Sequence, residues 1–120
     1  MSPSKINPSK REHFSNPLYN DLSYIRVGDS IVVNLGKRIQ IDCQASGLPI
    51  PKYIWKFNDE SLAEHKYIID LKNGSILVQR VTWNHEGQFR CFAVNNLGVD
   101  SVSTKIKVVG KYKQGYVMEG

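Results

Sequence analysis

Residues 43–55 read CQASGLPIPKYIW, a stretch that begins with one of the two cysteines of the chain and ends with a tryptophan. The other cysteine, Cys91, closes the run GQFRC at residues 87–91, so 91 − 43 = 48 positions separate the pair. Two cysteines at this separation, with Trp55 between them, indicate one bridge across a β-sandwich and a tryptophan packed against it. In a reducing compartment the same cysteines would be two small buried hydrophobic side chains, so their redox state stays open.

Hydrophobic residues on both sides of this stretch recur with a period of two, which is the pattern of half-buried strands. Glycine, proline and asparagine residues separate the strand segments, for example at residues 47–51 and 95–98. Short strands joined by such turns predict an all-β fold, an antiparallel β-sandwich. The residues predicted to point into its core are Ile39, Ile41, Cys43, Ala45, Tyr53, Trp55, Ile76, Val78, Phe89, Cys91, Ala93, Thr104, Ile106 and Val108.

The chain of 120 residues is predicted to form one domain with two extensions. Residues 1–22 are polar and without a period, so we expect a flexible leader; residues 23–110 hold the strands, and residues 111–120 are expected to be a flexible tail. No segment approaches the length of a membrane span, and the N-terminus lacks the apolar core of a secretory signal. We interpret the chain as a segment of a longer secreted or cell-surface protein, with a cytosolic protein as the alternative.

Residues 23–110 resemble an immunoglobulin domain of the intermediate set (I-set). The matching pieces are Gly36 before the strand of Cys43, the run ASGLPIP leading to Trp55, the run GSILV at residues 74–78, GQFRC at residues 87–91 and AVNNLG at residues 93–98. The resemblance implies two sheets bridged by one disulfide, Cys43–Cys91, with Trp55 and Phe89 in the core. It also implies a non-catalytic protein-interaction module of adhesion, receptor or matrix proteins. A cytosolic sarcomeric domain that acts as a spacer or docking unit is the second interpretation.

Two positions depart from the family pattern D-x-G-x-Y-x-C. Phe89 stands where the family has tyrosine, so the hydroxyl that bonds back to the backbone is missing. His85 stands where the family has aspartate, so a carboxylate contact in this turn would have to come from Glu86 or be absent. We expect both changes to weaken the turn without altering the fold.

Catalytic motifs are missing from the sequence. The histidines at positions 13, 65 and 85 fall in the leader and in loops without metal-ligand spacing, and no nucleophile elbow or phosphate-binding glycine run is present. We therefore predict that the protein is not an enzyme and has no cofactor or metal.

The strands that contain Trp55, Cys91 and Thr104 are predicted to share one outward face. If Trp55 and Cys91 point inward, their neighbours must point outward, because successive side chains of a strand alternate. An apolar centre rimmed by cations is typical of a protein-binding surface, although a scattered set of exposed strand residues would look the same. The residues predicted to form this partner-binding face are Ile54, Lys56, Arg90, Phe92, Val94 and Lys105, with Ser103 beside them.

A net charge of +5 and a pI of about 9.3 favour acidic partners. Five cations at the end of the domain near the first turn are a candidate heparan sulfate site, with a solvated charge run as the alternative: Lys37, Arg38, Lys107, Lys111 and Lys113. Nucleic acid and membrane insertion fit less well, since stacking aromatics and apolar spans are lacking. Asn73-Gly74-Ser75 is an N-glycosylation sequon and also a hairpin-turn sequence, which would make the protein a glycoprotein if Asn73 is modified.

Overall fold

A computed structural model describes residues 1–7, 14–15, 22–65 and 67–110. The predicted tail at residues 111–120 and most of the second half of the leader lie outside this part of the chain. The described strands are β1 (Ser2–Asn7), β2 (Phe14–Ser15), β3 (Leu22–Arg26), β4 (Ser30–Asn34), β5 (Arg38–Asp42), β6 (Gln44–Leu48), β7 (Lys52–Phe57), β8 (Glu60–Ser61), β9 (Ile68–Asp70), β10 (Ser75–Val78), β11 (Gly87–Asn95) and β12 (Gly98–Val109). Short 3₁₀ turns span Leu62–Glu64 and Trp83–His85.

The strands form two packed sheets, which confirms the predicted all-β sandwich. One sheet has the order β2-β3-β5-β10-β9 and the other β4-β12-β11-β7-β8, while β1 pairs with β6. Most neighbouring strands are antiparallel, as predicted, but β3 pairs with β5 and β4 with β12 in parallel. Both parallel pairs involve strands from the N-terminal part of the domain, where the chain leaves one sheet after Arg26 and enters the other at Ser30.

The core lies between the sheets and follows the predicted alternation. Ile39, Ile41, Ile76, Phe89 and Ile106 are at most 2% exposed, and the predicted positions at Ala45 and Tyr53 pack against the core while keeping part of their surface accessible. The ring centroids of Phe89 and Phe57 are 4.5 Å apart. Burial of this kind of large apolar side chain is worth about 1.5–3 kcal/mol each and is the main force holding the two sheets together.

A disulfide joins Cys43 to Cys91 and so bridges the two sheets, as predicted. Cys43 lies between β5 and β6, and Cys91 lies in the middle of β11. Trp55 stands directly opposite Cys91 on the neighbouring strand β7 and is 3% exposed. Its indole nitrogen donates a hydrogen bond to the carbonyl of Gly74 at 3.3 Å, which gives the buried N–H group its partner.

Residues Ser2–Asn7 form strand β1, in place of the flexible leader expected there. Ile6 is 2% exposed and packs in the core, so burial of this apolar side chain anchors the segment to the domain. Its backbone is held by residues far along the chain. The Ile6 N–H donates to the Asp100 carboxylate at 2.8 Å, and the Asn95 amide donates to the carbonyl of Ser2 at 2.9 Å.

The turn before β11 is closed by a histidine where the family pattern has aspartate. The backbone N–H of Thr82 donates to Nδ1 of His85 at 2.9 Å, and the Thr82 hydroxyl accepts from the N–H of Asn84. The carboxylate of Glu86 accepts from the N–H of Val108 on β12, so its contact ties the turn to a strand. Trp83 packs against the core from below. An imidazole nitrogen thus accepts the backbone N–H at the position where the family pattern has an aspartate.

Candidate protein-interaction face

The six residues predicted to form a partner-binding face lie on one surface of the second sheet. Phe92 on β11 stands opposite Ile54 on β7, and Arg90 stands opposite Lys56. Lys105 on β12 stands opposite Gln88, whose side chain belongs to the same outward row as Arg90 and Val94. Because these partners alternate with buried Trp55, Cys91 and Thr104, all six side chains project from the same side of the sheet.

The centre of this surface is Phe92. It is half-buried, and its neighbour Ile54 is 49% exposed. The ammonium group of Lys56 lies 5.9 Å from the centroid of the Phe92 ring, within the range of a cation–π contact. The guanidinium of Arg90 donates to the hydroxyl of Ser101 at 3.1 Å. An aromatic ring with one ammonium over it is therefore held on a rigid strand.

Four further residues belong to this surface and were missed in the sequence. Lys52 stands opposite Val94, and Val99 of β12, which is 63% exposed, pairs with Val94 from the other side. Lys107 stands beside Val32 of β4, which is 64% exposed. Alternation along β7 and β12 would have indicated the first three, whereas Val32 required knowledge of the parallel pairing. We call the ten residues together the basic–apolar face: Val32, Lys52, Ile54, Lys56, Arg90, Phe92, Val94, Val99, Lys105 and Lys107.

The basic–apolar face carries cations without matching carboxylates. Aspartate and glutamate are missing from the outward positions of the described strands β4, β7, β11 and β12. The ion pairs between described side chains join His65 to Glu60 and Lys72 to Asp70, both away from this face. The ten residues of the face therefore carry five positive charges: Lys52 and Lys56 on β7, Arg90 on β11, and Lys105 and Lys107 on β12.

One end of the face opens into a groove of about 560 Å³. The residues that line it include Val32 of β4, Lys105 and Lys107 of β12, and Gly87. Glu86 is the one carboxylate among the described lining residues, and one of its oxygens accepts the Val108 N–H. The apolar centre around Phe92 therefore continues toward a concave, partly polar end.

The described cations of the predicted heparan sulfate site do not form one cluster. Arg38 projects from the outer side of the first sheet because its neighbour Ile39 is buried, and Lys107 projects from the second sheet because Ile106 is buried. The two cations thus lie on opposite faces of the sandwich. Lys37 lies in the turn between β4 and β5, and Lys111 and Lys113 are outside the described residues. The expected closeness of the strand ends suggested one cluster of cations, but the directions of the side chains separate Arg38 from Lys107.

Asn73 lies in the turn between β9 and β10, as the hairpin interpretation predicted. It is exposed, and its side-chain carbonyl accepts from the N–H of Ser75 at 3.1 Å. The Ser75 hydroxyl donates to Asp42 at 2.6 Å. Gly74 has a φ of +99°, the left-handed conformation that the turn requires.

The described residues hold no group of three or more histidine, cysteine, aspartate or glutamate side chains arranged to bind a metal ion. The described helices are also too short to cross a membrane. Nε2 of His65 lies 3.2 Å from Oε1 of Glu60, and the side chains of His65 and His85 line one cavity.

Burial lowers the pKa of His85, and the nearby His65 lowers it further. Nδ1 of His85 accepts the Thr82 N–H bond, so a proton there would also remove the cap of the turn. In the pH range between this lowered pKa and the unfolded value of about 6.5, the unfolded chain binds more protons than the folded one. Stability in this range therefore rises with pH and is lost as the pH falls.

We expect the free energy of unfolding to decrease between about pH 7 and pH 5.5 in the wild type and to decrease less in His85→Gln. Glutamine offers a neutral acceptor for the Thr82 N–H but does not titrate. Urea denaturation at several pH values measures the difference. Parallel pH profiles for the two proteins would contradict the assignment.

Comparison with known proteins extends these observations. The family model for the immunoglobulin domain matches residues 25–95. A protein named Interference hedgehog from Drosophila persimilis is 36% identical over 83 residues, which is 69% of this chain and 9% of the relative. Its namesake from Drosophila mojavensis is 34% identical over 103 residues, 86% of this chain and 12% of the relative. The chain therefore spans only about a tenth of the length of these curated relatives.

Solved structures share the fold at lower identity. Immunoglobulin domains 1–4 of Sidekick-1 superpose with a TM-score of 0.70 at 19% identity, covering 90% of this chain and 24% of that one. A complex of titin M10 with an obscurin-like 1 immunoglobulin domain gives a TM-score of 0.66 at 18% identity, covering 91% and 96%. The sandwich, its bridging disulfide and the family match over residues 25–95 agree with one another. The chain belongs to the immunoglobulin domain family.

Proposed function

We propose that this domain is an I-set module of a larger extracellular or cell-surface protein, and that it recognises another protein through the basic–apolar face. The observation that carries the proposal is the composition of that face. Half-buried Phe92 and the exposed residues Ile54 and Val99 form an apolar centre, and cations surround it. An apolar centre with a charged rim is the usual anatomy of a protein interface.

The sheet gives this surface the rigidity that recognition needs. β7, β11 and β12 are hydrogen-bonded along their length, and the disulfide fixes Cys91 directly beneath the outward pair Arg90 and Phe92. Side chains on such a scaffold lose little further conformational freedom when a partner binds, which lowers the entropic cost of association.

The relatives support a place in a longer protein. The chain corresponds to 9% and 12% of the length of the two Interference hedgehog proteins compared above, so the related segment is a small part of each of them. One structural neighbour is the complex of titin M10 with an obscurin-like 1 immunoglobulin domain. Another is the insect immune protein hemolin, whose domain arrangement is described as having implications for homophilic adhesion. Titin domains among the neighbours keep the sarcomeric spacer as a second candidate, which would hold Cys43 and Cys91 reduced.

Phe92→Asp is expected to reduce binding to a protein partner by roughly tenfold or more, because it places a carboxylate in the apolar centre of the interface. The measurement is binding of the full domain, displayed on beads, to a panel of purified ectodomains. Circular dichroism and thermal melting check that the variant is folded. Ile54→Asp, at the more exposed neighbour, should reduce the same interaction.

Ile69→Asp is the matched control. Ile69 is 38% exposed and lies on β9 of the other sheet, so it receives the same chemical change outside the basic–apolar face. We expect it to retain partner binding. Equal binding by the wild type, Phe92→Asp and Ile54→Asp to every ectodomain that the wild type recognises would contradict the proposed role of this face.

A further inference from the structure

The cations of the basic–apolar face are placed close to one another without internal compensation. Lys56 and Arg90 are direct cross-strand partners, an arrangement of like charges that destabilises a sheet. Lys56 lies over the Phe92 ring, and Arg90 bonds to the Ser101 hydroxyl, so neither contacts a described carboxylate. Among the described residues, nothing therefore neutralises this positive pair beside the apolar centre.

The same spacing continues along the strands. Ile54 lies between Lys52 and Lys56 on β7, each about 7 Å away along the strand. Lys52 and Lys56 are exposed, and Arg90 is half-buried. A group that inserted between Ile54 and Phe92 would have cationic side chains on both sides. Carboxylates that flanked such a group would neutralise these cations.

We propose that the partner is an acidic protein surface, on which an aromatic or aliphatic side chain is flanked by aspartate or glutamate. This inference rests on the proposed function and specifies the chemistry of its partner. The apolar side chain would pack on Ile54 and Phe92, and the carboxylates would pair with Lys52, Lys56 and Arg90. Charge complementarity of this kind raises the association rate and excludes partners of the wrong sign.

A second copy of the same face does not meet this requirement. In a two-fold symmetric contact the face would meet itself, so five cations of one copy would oppose five of the other. The described outward positions of β4, β7, β11 and β12 offer no aspartate or glutamate to separate them. Charge repulsion therefore disfavours a two-fold contact of this face with itself.

A sulfated glycan is a weaker match than an acidic protein. It would neutralise the cations but would cover Ile54 and Val99, which are 49% and 63% exposed, without an apolar group to pack against them. The cations predicted to bind heparan sulfate together, Arg38 and Lys107, lie on opposite faces. An acidic protein surface with an apolar side chain would contact both the cations and the apolar centre of the face.

The test uses short random peptides displayed on phage as probes, together with a heparin fragment and the domain itself. We expect the wild-type domain to select peptides rich in aspartate or glutamate around an aromatic or aliphatic residue. Lys56→Glu and Arg90→Glu should each weaken the selected peptides about tenfold, and raising NaCl from about 50 to about 500 mM should weaken them similarly. Arg80→Glu, an exposed cation outside the face, is the matched control and should have little effect.

Charge exchange separates recognition from a loss of folding. A selected peptide with its acidic residues replaced by lysine should bind the double variant Lys56→Glu/Arg90→Glu at least about tenfold better than it binds the wild type. A misfolded variant could not gain this specificity.

Three results would overturn the inference: selection of peptides without acidic residues, tighter face-dependent binding of the heparin fragment, or self-association that Phe92→Asp abolishes. If Phe92→Asp removes an ectodomain partner that the charge reversals and salt leave unchanged, the proposed function stands and the acidic partner is wrong. If neither Phe92→Asp nor the charge reversals change any binding, both proposals fail.

Discussion

The double variant Cys43→Ala/Cys91→Ala is expected to lose about 4 kcal/mol of unfolding free energy relative to the oxidised wild type. The disulfide closes a loop of 48 residues, and removing it restores the corresponding conformational entropy to the unfolded chain. Because small domains are stable by about 5–15 kcal/mol in total, this loss leaves the variant close to marginal stability. Urea denaturation followed by tryptophan fluorescence measures the difference.

The stability of the alanine variant is compared first with that of the reduced and alkylated wild type. The alkyl groups on sulfur crowd a site where both cysteines are at most 1% exposed. Reduced, unalkylated protein should match the alanine variant within about 1 kcal/mol. A loss below about 1 kcal/mol in the alanine variant would show that the bridge adds little to the packing around it. In protein from its natural source, alkylation before reduction would label free thiols only if the sarcomeric alternative is correct.

The sandwich could be predicted because its core uses local alternation. Ile39, Ile41, Phe89 and Ile106 are recognisable as inward positions from their immediate neighbours, and each is buried. The bridge between the two cysteines was indicated by their separation and by the tryptophan between them, and it joins the sheets as expected. A period of two also fixes the opposite side, so most of the basic–apolar face could be named before the strands were seen.

Strand β1 could not be predicted because its stabilising contacts are distant in sequence. Ser2–Asn7 contains two buried positions, Ser4 and Ile6, which is too short a pattern to identify a strand. Its hydrogen-bond partners Asp100 and Asn95 lie more than 90 residues away. Val32 was missed for a related reason, since only the parallel pairing of β4 with β12 brings it beside Lys107.

The positions of the cations could likewise be predicted only in part. The sequence indicated two groups of cations, one on the face around Phe92 and one near the turn at Lys37. Alternation placed Lys56 and Arg90 on the same face, and the strand register makes them direct cross-strand partners. For Arg38 and Lys107 the closeness of the strand ends suggested a cluster, but the two side chains project in opposite directions.

Gly74 connects the elements that decide the fold. Its carbonyl accepts hydrogen bonds from the backbone N–H of Cys43 at 2.9 Å and from the Trp55 indole at 3.3 Å. Its φ is +99°, and a Cβ at this position would collide with the Cys43 carbonyl oxygen and lie 3.1 Å from the Tyr53 ring. The turn at Gly74 therefore holds the tryptophan and the first cysteine together through its backbone, and a side chain would push them apart.

Gly74→Ala should consequently destabilise the domain by about 3 kcal/mol, through left-handed backbone strain and the displacement of packed backbone. Gly36→Ala is the matched control, because Gly36 also has a positive φ, +89°, but has no atom within 4 Å of the position that an added Cβ would occupy. Strain alone acts there, so we expect a loss of only about 1–2 kcal/mol. Urea denaturation of both variants isolates the contribution of crowding at Gly74. Equal losses would contradict the close approach to Cys43 and leave only the turn conformation as the reason for glycine.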